Sequence, residues 1–180
     1  MNKRNCPCVV YQIGIPGPQG IQGSPGVQGD QGLPGTLIIS AGTFFSTSFS
    51  QIPYDSPVSV NSGSSITGSG ISLTGTTDIL LENPGIYLVS YYIQGDPVGG
   101  IETVACSLKL NNVTVPGSIV QSVTSYLSDE VEPAVSNTCI IDVTSPGTIL
   151  QLFNSSNSAL EHIRWVDDFC SASITVLRLS

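Results

Sequence analysis

The sequence predicts an all-β head, a two-sheet sandwich of jelly-roll type, preceded by a short Gly-X-Y triple helix and an extended N-terminal peptide. Two observations carry this. Glycine stands at every third position from Gly14 to Gly35. From Leu37 to Ser180 the chain is a succession of short β-rich runs broken by turn residues, with no sustained helical period. The expected divisions are 1–13, 14–36 and 37–180.

Residues 1–13 belong to neither pattern. Cys8–Ile13 is extended in character, with β-branched Val9, Val10 and Ile13 beside Tyr11. Such a peptide cannot bury itself, and it can pair with a sheet edge or fill a groove. Lys3 and Arg4 make its flank basic, whereas from Leu37 onward twelve acids face only Lys109, Arg164 and Arg178. The expectation is head-to-tail docking, with Cys6, Cys8, Val9, Val10, Tyr11 and Ile13 seated on the head of the next assembly. A contact of that kind propagates as an open fibre. The alternatives are that it caps its own trimer, attaches once to a different protein, or is disordered. Cys6 and Cys8 are candidates for a disulfide that locks the joint; their spacing suits neither a zinc knuckle nor a redox CxxC pair.

The stem contains Gly14, Gly17, Gly20, Gly23, Gly26, Gly29, Gly32 and Gly35 in strict phase. The reason for such a period is steric, because three polyproline-II chains wind so closely that only a hydrogen atom fits at their axis. Pro16, Pro18, Pro25 and Pro34 pre-set the backbone torsion. A flexible linker needs no period, so the repeat reports a homotrimer. Its 22 or so residues span roughly 70 Å at about 3.1 Å each. A triple helix this short needs support from the parts that flank it.

Expected head strands are Leu37–Phe45, Ile71–Leu81, Ile86–Gln94, Val104–Leu110, Ile119–Leu127, Thr138–Val143, Ile149–Phe153 and Ala172–Leu179. Turn signals separate them at Asn83-Pro84-Gly85, Asp96-Pro97, Gly99-Gly100, Asn111-Asn112, Pro116-Gly117 and Pro146-Gly147. The Ser/Thr-rich stretch Asn61–Thr77 reads as a loop or a polar strand. Ile86–Ile93 is apolar on both faces: Tyr87, Val89, Tyr91 and Ile93 on one, Ile86, Leu88 and Tyr92 on the other. A strand wetted on one side would alternate. One face is expected to fill the core, with the other at a subunit interface or under a loop.

Composition limits the functions. A net charge of −8, with 13 acidic against 5 basic residues, disfavours nucleic acid and anionic membrane surfaces. No run approaches the roughly 20 apolar residues of a membrane-spanning helix, and the first residues do not read as a signal peptide. His162 is the only imidazole, and no nucleophile elbow, P-loop or HExxH occurs; no enzyme activity and no cofactor are expected. Asp129, Glu130, Glu132 and the pair Asp167-Asp168 are oxygen-rich, yet lack an EF-hand spacing. They read as solvated loops, and no metal site is expected. Cys106, Cys139 and Cys170 fall in or beside expected strands, as buried thiols or as disulfides.

The run Asn83-Pro84-Gly85-Ile86-Tyr87-Leu88-Val89-Ser90-Tyr91 resembles the Pro-Gly-x-Tyr strand of C1q/TNF-like heads. Leu108–Ser118 is similar to a hairpin of bacterial members, and Ala172–Leu179 to their last strand. With the upstream repeat, the chain resembles the collagen-like glycoproteins of the exosporium of spore-forming bacteria. The resemblance implies a ten-stranded jelly roll, three heads around a threefold axis, and assembly on a spore surface from the mother cell without export. It marks Gly85, Tyr87, Val89 and Tyr91 as the strand of the head core and trimer. Two features depart from that family: long Gly-x-Thr repeats are absent, and residues 1–13 replace the usual leader that docks on the basal layer. The expected role is a structural subunit of a spore-surface fibre or appendage, its partners being copies of itself and other spore-surface proteins. The alternative is a collagen-stalked adhesin or recognition module held by its N-terminus.

Overall fold

Alternating burial organises the head in the computed structural model, which describes residues 14–29, 39–47, 51–97, 102–124, 133–161 and 170–180. Backbone contacts divide the chain into two units, Met1–Gly35 and Thr36–Ser180. In the first, residues 14–29 form no helix or strand and are exposed throughout.

In the second unit the described residues form strands and no helix. They are β1 (Ser40–Ser46), β2 (Gly63–Thr67), β3 (Ile71–Thr74), β4 (Asp78–Leu81), β5 (Gly85–Gln94), β6 (Asp96–Pro97) and β7 (Glu102–Leu110). There follow β8 (Val113–Thr114), β9 (Val120–Thr124), β10 (Ala134–Val143), β11 (Thr148–Asn154), β12 (Leu160–Glu161) and β13 (Ala172–Arg178). Ten of these have four or more residues; β6, β8 and β12 are two-residue pieces.

Two antiparallel sheets face each other. One runs β10-β5-β13-β1-β2; the other runs β3-β4-β11-β7-β8, with β9 also on β7. β6 and β12 make a separate short pair. β5 is the best-sheltered strand, with ten residues paired to β10 and seven to β13. Its odd-numbered side chains from Tyr87 to Ile93 are buried, and their neighbours on the other side are half-buried. Facing them from the second sheet are Ile79, Leu81, Leu108, Leu150 and Leu152, all with at most 1% exposure. Because side chains alternate along a strand, a slip of one residue would expel this whole set into water.

Three local expectations are corrected. Ile71–Leu81 is not one strand: it turns back at Gly75-Thr76-Thr77, so that Ile71 pairs with Leu81. Gly75 has φ +71°, a turn conformation that breaks the run. The stretch Asn61–Thr77 is not one loop or strand, since it contains β2, β3 and that turn. Asp96-Pro97 is not a turn: its residues pair with Glu161 and Leu160. Proline suits this two-residue piece, because such short peripheral pairing does not need every N–H. By contrast, Asn111 and Asn112 both have positive φ (47° and 67°) and join β7 to β8 as a two-residue hairpin turn.

Candidate assembly surface

The site builds from the register of the five-stranded sheet. Its inner face is core. On its outer face, Thr138 pairs with Ser90, Ser90 with Thr175, Thr175 with Thr43, and Thr43 with Ser65. Hydroxyl residues thus cross all five strands in one row. They are joined in pairs: Thr43 Oγ1 lies 3.0 Å from Thr175 Oγ1, and Ser90 Oγ lies 2.8 Å from Thr138 Oγ1.

On one side of this row, Ile140, Leu88, Leu177 and Ala41 form an apolar row by the same pairings. Ile140 is 65% exposed, and Leu88, Leu177 and Ala41 are half-buried. Beyond it lie Ile86 and Leu179, linked by a backbone bond from Leu179 N to Ile86 O of 2.7 Å. On the other side, Ser136, Tyr92, Ser173 and Phe45 stand in register. The Tyr92 hydroxyl donates to Gln94 Oε1. Among the residues of these rows none is charged; Asp142, paired with Ile86, marks the margin. A sheet face of hydroxyls, aliphatics and aromatics, free of charge in its centre, is suited to burial against another such face.

The structure places Tyr87, Val89 and Tyr91 in the core, at 0, 0 and 2% exposure. The Tyr87 hydroxyl donates to Asn83 O at 2.6 Å. The Tyr91 hydroxyl donates to Ser118 O and accepts from Asn137 Nδ2 at 3.1 Å. Burial pushes the Tyr91 phenol up to about 12, with the Asn137 amide pulling the other way. Gly85 opens β5 at φ +149°, where a Cβ would stand 2.0 Å from Ser180 O. The outer-face hydroxyl row escapes sequence reasoning, because Thr43, Ser90, Thr138 and Thr175 meet only through register. Their one sequence signal is alternation with apolar neighbours.

Cys106, Cys139 and Cys170 are free thiols. Burial raises all three, that of Cys106 to about 12, which makes Cys106 a poor nucleophile. Among the described residues no cluster of His, Cys, Asp and Glu is arranged to hold a metal ion. A cleft of about 290 Å³ beside β8 is lined mainly by Leu110, Val113, Val115, Pro116, Ile140 and Ile141, with Thr114 and Asp142 as its polar groups. No described helix is long and apolar enough to cross a membrane. Cys6, Cys8, Val9, Val10, Tyr11, Ile13, Gly32, Gly35, His162 and the two acidic groups lie outside the described residues.

No family model matches the chain, and no curated protein matches it. Solved structures do. The Eiger TNF of S. frugiperda is similar with a TM-score of 0.51 at 18% identity, over 78% of this chain and 92% of that one. Murine APRIL, at pH 5.0, is similar with a TM-score of 0.50 at 11% identity, over 78% and 99%. At these identities the likeness defines the fold: the head is a TNF-like jelly roll, all-β as the sequence predicts.

Proposed function

We propose that the chain is a structural subunit of a bacterial spore-surface fibre or appendage, built of trimers whose heads meet through the outer face of the β10-β5-β13-β1-β2 sheet. One observation carries the reading: the head whose central strand β5 is half-buried on its outer side, in a face without charge at its centre, follows in the same chain a glycine period that a single chain does not require. Around Gly14, Gly17, Gly20, Gly23, Gly26 and Gly29 there is open space for a Cβ within one chain. Glycine at every third position therefore answers to crowding by other chains. Three wound stems would hold three heads at high effective concentration, so the sheet face need contribute only modest affinity. The TNF-like jelly roll supports the head that the exosporium resemblance implies, three around a threefold axis.

Fibre growth rests on residues 1–13, whose β-prone segment and basic flank complement an acidic head. Three such peptides acting together gain avidity. Negative-stain electron microscopy of the recombinant full chain tests this reading. Filaments with a regular axial repeat are expected from the unaltered chain, and separate particles from Val9→Asp/Val10→Asp. Separate particles from both at every concentration would remove fibre growth and leave attachment to another surface protein.

A further inference from the structure

The stem carries a second period that a triple helix does not require. The residues following each glycine are Ile15, Pro18, Ile21, Ser24, Val27, Asp30 and Leu33. A branched aliphatic side chain recurs every six residues. In the single chain Ile15, Ile21 and Val27 are 94, 100 and 99% exposed, and as X-position residues of a Gly-X-Y repeat they point away from the shared axis; Leu33 continues the period outside the described residues. The triple helix needs hydrogen at its axis and gains from proline elsewhere. It gains nothing from isoleucine held in water. Six residues are a whole number of polyproline turns, so these side chains lie along one side of each chain, about 19 Å apart. Winding three chains together turns each position into an aliphatic ring.

We propose that the stem of one trimer packs antiparallel along the stem of a second, ring against ring. The inference rests on the triple-helix reading and goes beyond it, since it concerns contacts between trimers. Three features select a second copy as the occupant. Reversal about Ile21 sets Ile15 against Val27 and Ile21 against its own counterpart, so the surface is self-complementary and the contact closes on a twofold axis. No charged residue occurs between Gly14 and Gly29, so identical stems do not repel. From Leu37 onward acids outnumber basic residues twelve to three; parallel packing would crowd these like-charged heads together, whereas antiparallel packing holds them at opposite ends. Gln19, Gln22 and Gln28, all exposed, supply a polar rim.

Sedimentation velocity over a concentration series tests the pairing. The protein is the full chain carrying Val9→Asp/Val10→Asp to suppress end-to-end growth, compared with the same chain bearing Ile15→Gln, Ile21→Gln and Val27→Gln. Circular dichroism follows stem melting in both. The first is expected to reach six times the chain mass of 18.8 kDa, undiminished by high salt. The second should stop at three times, with its triple-helix signal intact. The single change Ile21→Gln covers unwinding by the triple substitution, and should raise the concentration for pairing about tenfold. A three-chain mass for the first protein at every concentration overturns the pairing and leaves the triple helix standing. So does a six-chain mass that survives the substitutions. A one-chain mass removes the triple-helix reading and the pairing with it.

Discussion

Asn154 is fully buried at the end of β11, and its side chain holds two loops together. Nδ2 faces Ile52 O at 2.9 Å and Pro53 O and Ser158 O at 3.2 Å, while Oδ1 accepts from Ser156 N at 2.9 Å. Asn154 is therefore a structural residue of this fold. Asn154→Ala strands several buried backbone groups, and a loss of about 2–4 kcal/mol is expected from urea unfolding. A change under about 0.5 kcal/mol, the range of ordinary surface substitutions, would contradict that role. Tyr91 and Cys106 make a second prediction at this scale. Burial raises both folded-state values to about 12, from 10.0 and 9.0. A raised value means that the folded state holds its proton longer than the unfolded chain. These contributions are complete below pH 9 and are lost as pH climbs towards 12. Urea midpoints measured from pH 8 to 12 should fall above pH 9, and less steeply in Tyr91→Phe. The sequence places Tyr91 on an expected core face and Cys106 as a buried thiol or a disulfide, but the bonds of Asn154 escape it because they join residues as far apart as Ile52 and Asn154.

At the scale of elements, legibility followed apolar alternation. β5 and β13 are almost completely readable because each buries every second residue against a large partner sheet. β2 was not, since Gly63, Ser64, Ser65 and Thr67 carry no apolar signal and four of its five residues are exposed; it is a strand only because β1 supplies a paired edge. The β3–β4 turn was hidden because Thr76 and Thr77 are β-prone residues placed in a reversal. The candidate assembly surface was half legible. Ile86, Leu88 and Tyr92 announced an apolar second face, but the hydroxyl row needs the pairing of distant strands. Gly85 tests the entry into β5. Its φ of +149° and the 2.0 Å approach to Ser180 O leave no room for a methyl group. Gly85→Ala should cost about 2 kcal/mol or more, read as a lowered thermal midpoint of the head. An unchanged midpoint would show that the C-terminal residue yields freely.

The whole molecule joins two patterns, and the proposed trimer gives both a reason. They are a glycine at every third position from Gly14 to Gly35 and an outer sheet row of Leu88, Leu177 and Ile140 on the head. In that proposed trimer residues 1–13 are present in three copies, so docking gains from repetition. Native mass spectrometry of the intact full-length protein measures the shared premise directly. Complexes at three times 18.8 kDa and at multiples of three chains are expected. A dominant single chain at micromolar concentration would contradict it.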